Sequence, residues 1–151
     1  MRDLSSDPMW SFESLRSING QDRFTHFDYV RVLRQSGKID EQTLIPWLKA
    51  YAPPLIEHAG RVYLAEQFSA GDLEEMRRPA LSDADVQLFI NLVNISDLLG
   101  EEFRSRAPAV AAQFADNLNA QIAARYPSHL DRAKTLVDDG EHFISIVRSG
   151  S

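Results

Sequence analysis

The sequence predicts an all-α domain: a single irregular bundle of six to eight short, capped helices spanning residues 1–151. Three observations lead there. One helix-start signature recurs at four places in the chain. The two longest apolar stretches repeat their large residues every three to four positions. Period-two alternation is confined to "HFISIV", His142 to Val147.

The signature is clearest in "FSAGDL". The Ser69 hydroxyl can accept from the amides that a first helical turn leaves unpaired. Asp72 stands three residues on, as the acid of a short capping box, and Phe68 and Leu73 stand where a hydrophobic staple packs. The same offsets hold Phe24, Thr25, Asp28 and Tyr29, and again Leu81, Ser82, Asp85 and Val86. Ile39, Asp40 and Leu44 repeat it with Thr43 in the acid's place. The irregular spacing excludes a tandem repeat. Ser69 is therefore read as architecture, and Ser69→Ala is expected to cost about 1 kcal/mol with binding intact.

Proline and glycine supply the remaining boundaries. Asp7 and Pro8 open a helix through about Ile18, closed by Gly20, and Gly37 ends the next near Ser36. Pro53 and Pro54 end the third near Ala50 and start one running to about Gln67. Pro79 stops the helix begun at Ser69. From Asp83 to Phe103 the apolar face is wide, as for a helix covered on more than one side, and Gly100 kinks or ends it. Pro108 opens an alanine-rich helix to Tyr126, with Val110, Phe114, Leu118 and Ile122 in one row. Ser128 and Asp131 begin another through about Val137, ended by "DDG". Residues 142–147 are read as a last helix or ordered tail, since a lone strand has nothing to pair with. Residues 148–151 are read as a flexible tail.

Composition bounds the function. The chain has 151 residues and a net charge of −6. An acidic surface repels phosphate backbones, so no nucleic-acid partner is expected. The absence of cysteine excludes a disulfide framework and a cysteine nucleophile. No window is apolar for long enough to span a membrane. The expected compartment is the cytoplasm if Met1 is native, and the periplasm if a leader was removed.

Catalytic patterns are sparse. No phosphate loop and no His-Glu-x-x-His pattern occur. Asp139-x-x-His142 is the nearest thing to a metal pair, and it reads as a solvated turn. His26 and His129 fall in first turns and read as surface. His58 beside Glu57 is the remaining acid–base pair, on different sides of its helix. Paired carboxylates occur at Glu74-Glu75, Glu101-Glu102 and Asp138-Asp139 and read as solvated surface; the two glutamate pairs point apart by about a third of a turn on a helix, so neither is a dyad. Trp10, Phe12, Trp47 and Tyr51 are interface anchors if exposed and core if not. No catalytic residue, metal ligand or cofactor is expected.

"VYLAEQFSAGDLEEM" and "LLGEEFRSRAPAVAAQF" resemble a family of uncharacterised, all-helical bacterial exported proteins, over about residues 62–123. The family's Ser-Pro-x-Gly turn is missing here, where "RRPALSDADV" follows Met76. The resemblance implies a bacterial, exported helical protein and supplies no catalytic residue. Small helical proteins of this texture accompany secreted antibacterial toxins as immunity proteins.

The sequence thus points to a non-enzymatic binding protein, an immunity or inhibitor protein that occludes one cognate, often basic, effector. Glu74, Glu75, Glu101 and Glu102 are its expected contact residues. The alternative is a domain that holds a small molecule or lipid between the 83–103 face and the alanine-rich helix.

Overall fold

Residues 8–19, 24–77 and 81–150 are described by a computed structural model. Asp7, Gly20 and Pro79, to which the sequence assigned helix boundaries, lie outside the described residues. The chain divides into two compact units, residues 1–48 and 49–151.

In the first unit a single 3₁₀ turn, Pro8–Trp10, precedes helices α1 (Phe12–Asn19) and α2 (His26–Gln35). Helix α3 (Glu41–Tyr51) begins here and ends in the second unit. The cap expected at Thr25 forms: its hydroxyl accepts from the Asp28 amide, and Asp28 accepts from the Thr25 amide at 2.9 Å. That amide holds the Asp28 carboxyl below its ordinary value, helped by the Thr25 hydroxyl and then Arg31. Asp40 is lowered in the same way by the hydroxyl and amide of Thr43. The Phe12 ring stacks on His26 at 4.1 Å and meets the edge of Tyr29 at 5.6 Å. The Tyr29 hydroxyl donates to the Trp10 carbonyl at 3.0 Å, so α1 and α2 are joined through aromatics.

The second unit overturns the all-α expectation. It contains two antiparallel sheets, so the protein is a mixed α/β fold and not a helical bundle. Pro54 starts no helix. Instead β1 (Leu55–His58) turns through Ala59 and Gly60, at φ 49° and 74°, into β2 (Arg61–Leu64). Two successive left-handed residues give the turn whose twist suits a tight hairpin. Val62, Tyr63 and Leu64 are all buried, so β2 is covered on both faces and carries no alternation for sequence reading to find.

Helix α4 (Ala70–Arg77) follows, with the Asp72 amide donating to Ser69 Oγ at 3.3 Å. Phe68 and Leu73 join Tyr63, Val86 and Ile90 in a small cluster, as the staple required. Burial raises the Tyr63 phenol above its ordinary value. Helix α5 (Asp83–Ile90) starts from the expected Ser82–Asp85 capping box. It stops at Asn91, because β3 (Val93–Asn94) interrupts what the sequence presented as one long helix. Helix α6 (Ile95–Phe103) resumes it, broken in turn at Gly100, where φ is 71° and ψ 175°.

Helix α7 (Ala107–Arg125) matches the alanine-rich stretch. Its alanines let it lie close on the second sheet, and Ala107, Ala111, Ala115, Leu118 and Ile122 are buried there with Ile144 and Ile146. That sheet has the order β3-β5-β4, with β4 spanning Asp131–Asp138 and β5 Glu141–Arg148. The helix expected over Ser128–Val137 is thus strand β4. The segment 142–147 is the central strand of the sheet, paired on both sides. Beyond it, the Ser149 amide donates to the Leu130 carbonyl at 2.9 Å.

Candidate functional site

Strand β2 pairs with β1 along one edge. Its other edge meets side chains where a neighbouring strand would stand. The Val62 amide donates to Asp131 Oδ2 at 2.8 Å, and the Leu64 amide to Asn91 Oδ1 at 2.8 Å. The Val62 carbonyl accepts from Gln87 Nε2 at 3.1 Å and Asn91 Nδ2 at 3.2 Å. Asn91 Nδ2 also reaches the Ile146 carbonyl on β5 at 3.1 Å, so one amide side chain bridges the two sheets. Gln87 and Asn91 are four residues apart, which places them on one side of α5 and its cap. Arg61 holds Gln87 Oε1 at 2.8 Å and so fixes the direction of its amide.

Asp131 is 0 % exposed and sits at the end of this seam. Its other oxygen accepts from Arg148 Nε at 3.2 Å, and Arg148 also donates to the Gly60 carbonyl of the hairpin turn. His129 lies between Asp131, 3.4 Å from Nδ1, and Glu57, 3.2 Å from Nε2. Both contacts are hydrogen bonds for the imidazolium, while a neutral ring can donate to one only. A shallow open cleft of about 240 Å³ lies over Ser128, His129 and Arg148. The carboxylates and the guanidinium are committed to backbone and to one another, which suits a lock between hairpin and sheet.

A second feature is apolar. A cavity of about 180 Å³ is walled by Leu64, Val93, Leu98, Phe114, Leu118 and Ile144. Ala50, Pro53, Glu66 and Gln67 complete its lining, and the exposed Glu66 and Gln67 mark its solvent side. Leu98 is 60 % exposed although it lines the cavity, and Phe103 of the same helix is 39 % exposed. Glu101 and Glu102 lie between them in sequence and are both exposed. Leu98 thus belongs both to the cavity wall and to the surface.

The four glutamates expected to contact a partner are all exposed. Glu74 and Glu75 stand on α4, which packs on α5, whereas Glu101 and Glu102 stand on α6, beside α7 and β5. Glu101 is paired with Arg104 at 2.6 Å, and Arg104 reaches Glu141 at 3.5 Å. Glu57 and His58 are consecutive on β1 and face opposite sides. His58 lies 5.0 Å from the Phe68 ring, and Glu57 belongs to His129. Asp139 is in the β4–β5 turn and His142 in β5. Among the described residues no group of three or more His, Asp or Glu is placed to hold a metal.

Asn91, Gln87 and Asp131 escaped sequence reading. The available signal was polarity in the wrong place, since Gln87 and Asn91 interrupt the apolar run "VQLFINLVNI". No helix among the described residues is long and apolar enough to cross a membrane. Comparison with known protein families, with curated proteins and with solved structures finds no match.

Proposed function

We propose that this chain is a protein-binding module that occludes a basic effector protein, in the manner of an immunity or inhibitor protein. The observation that carries the reading is the apolar cavity whose lining includes the exposed Leu98 and the exposed Glu66. Tight interfaces concentrate their energy in a few apolar or aromatic anchors seated in pockets and ringed by polar residues. The Glu66 carboxylate on the lining favours a cationic partner, and the net charge of −6 speeds its approach.

Size favours an anchor side chain over a separate ligand. Pockets for drug-sized molecules are roughly 300–1,000 Å³, well above the 180 Å³ found. A cavity of about 150 Å³ suffices for a benzene-sized group, the scale of one aromatic or leucine side chain. A second reading, a small apolar ligand, is favoured by one observation. The wall is built from Val93 and Leu98 of the 83–103 segment and from Phe114 and Leu118 of α7, the two stretches expected to enclose it.

Mixed with the product of a neighbouring gene, the purified protein is expected to elute as a stoichiometric complex on size exclusion. Leu98→Arg places a cation at the cavity and is expected to weaken that complex about thirtyfold, the scale of a hot-spot loss. Leu98 is exposed enough for the melting temperature to be retained. A complex indifferent to this substitution would refute the cavity as its site. A small apolar molecule that co-purifies in native mass spectrometry, with no protein partner bound, would decide for the second reading.

A further inference from the structure

We infer that the free edge of β4 is a self-association surface, and that its occupant is β4 of a second copy of this chain in antiparallel register centred on Leu136. The inference is independent of the cavity and rests on the backbone of this strand.

In an antiparallel ladder the N–H and C=O of one residue point to the same side, and successive residues alternate. The Ala133 amide and carbonyl leave the sheet and are taken by Asn119 of α7, at 2.8 and 3.1 Å. Thr135 and Val137 therefore present their amides and carbonyls on this same outer side. Among the described residues nothing takes them up. Asn119 occupies the edge at one end, and the Asp139–Gly140 turn, at φ 46° and 75°, closes it at the other. What lies open is the segment 134–138, whose midpoint is Leu136.

A second copy laid antiparallel about that midpoint fits the segment from end to end. Thr135 then faces Val137 of the other copy, and each such pair exchanges two backbone hydrogen bonds. Lys134 falls opposite Asp138, twice by symmetry, so the register is charge-complementary. Both side chains are exposed, and no ion pair forms at either among the described residues. The other copy's hairpin turn arrives opposite Ala133, where Asn119 has already closed the ladder. Val137, 63 % exposed, would come to lie over a groove beside β4 that Ala112, Ala115 and Asp116 of α7 line. Charges at a strand edge discourage unmatched strands, and Lys134 and Asp138 are both matched in this register.

Sedimentation velocity over a concentration series tests this. The wild type is expected to shift from monomer to dimer as concentration rises. Lys134→Asp and Asp138→Lys should each weaken association about tenfold, because both symmetric pairs become like-charged. The double variant should regain wild-type association, and an equimolar mixture of the two single variants should form a heterodimer. Leu136→Cys gives a chain with one cysteine, which would face its own copy across a pair about 4.5 Å apart. It should cross-link to a covalent dimer under mild oxidation with oxidised glutathione, where Thr135→Cys should not. Far-UV circular dichroism checks that each variant keeps the fold. A monomer at every concentration would overturn the inference. So would a dimer unmoved by the single substitutions, or a double variant no stronger than either single one.

Discussion

Replacing Asp131 by alanine is expected to cost about 3–5 kcal/mol, the scale of removing one partner from a buried ion pair. The loss has three parts. The Val62 amide, in a strand residue that is fully buried, loses its acceptor. Arg148 loses the Asp131 carboxylate, and His129 loses the contact at its Nδ1. Against a usual stability of about 5–15 kcal/mol, such a loss removes much of the folding margin. Asp131→Asn should fall between, since its amide oxygen can still accept from Val62 while the charge that holds Arg148 is gone. Urea unfolding followed by circular dichroism reads the difference. A cost under about 1 kcal/mol, the worth of an exposed pair, would mean that Asp131 does not lock the hairpin.

The second large effect is expected at Asn91. Asn91→Leu keeps the volume but removes an acceptor from the Leu64 amide and a donor from the Ile146 carbonyl. Each buried group left unpaired costs about 1–3 kcal/mol, so about 2–6 kcal/mol is expected in all. The Val62 carbonyl is spared, because Gln87 still reaches it. Hydrogen exchange gives this variant a local signature. The peptide covering residues 55–65 should exchange faster than β4 and β5, which keep their backbone ladder. Uniform acceleration over both sheets would show that Asn91 supports the unit as a whole and not the join between its sheets.

These two residues also show what the sequence could and could not reveal. The caps at Thr25, Asp40, Ser69 and Ser82 depend on residues three apart, so local chemistry exposed them. The alanine-rich helix was equally legible, because a face four residues deep is written in one window. The strands were not. β2 is buried on both faces and reads as a short apolar run that a buried helix could also produce. β4 begins after Ser128 with Asp131 three residues on, a spacing that imitates a capping box. The Asp139-Gly140 step that closes its hairpin also fits a helix end, although that dipeptide is a strong hairpin signal. β5 alternates as a strand does, but its partners β3 and β4 read as helix, which leaves it nothing to pair with. That one turn therefore conceals two strands.

The candidate site was legible in part. The acidic residues of α6 and the apolar stretches on either side were named from sequence, since exposure and amphipathicity follow from local pattern. That these stretches enclose a cavity with Leu64 and Ile144 depends on chain crossings that no local pattern encodes. Glu57 was paired with His58 by adjacency. The fold pairs it with His129, seventy-two residues away.

The join between the two sheets has a consequence for inheritance. A ladder of backbone bonds is indifferent to which side chains it carries, so strands such as β4 and β5 can drift at every exposed position and still pair. The β2 edge has no such freedom, because its partners are the side chains of Gln87, Asn91 and Asp131. Distant descendants of this chain should have lost most of its surface while retaining that amide, amide and carboxylate at matching places. The three residues therefore form a fingerprint for kinship where resemblance along the chain has faded.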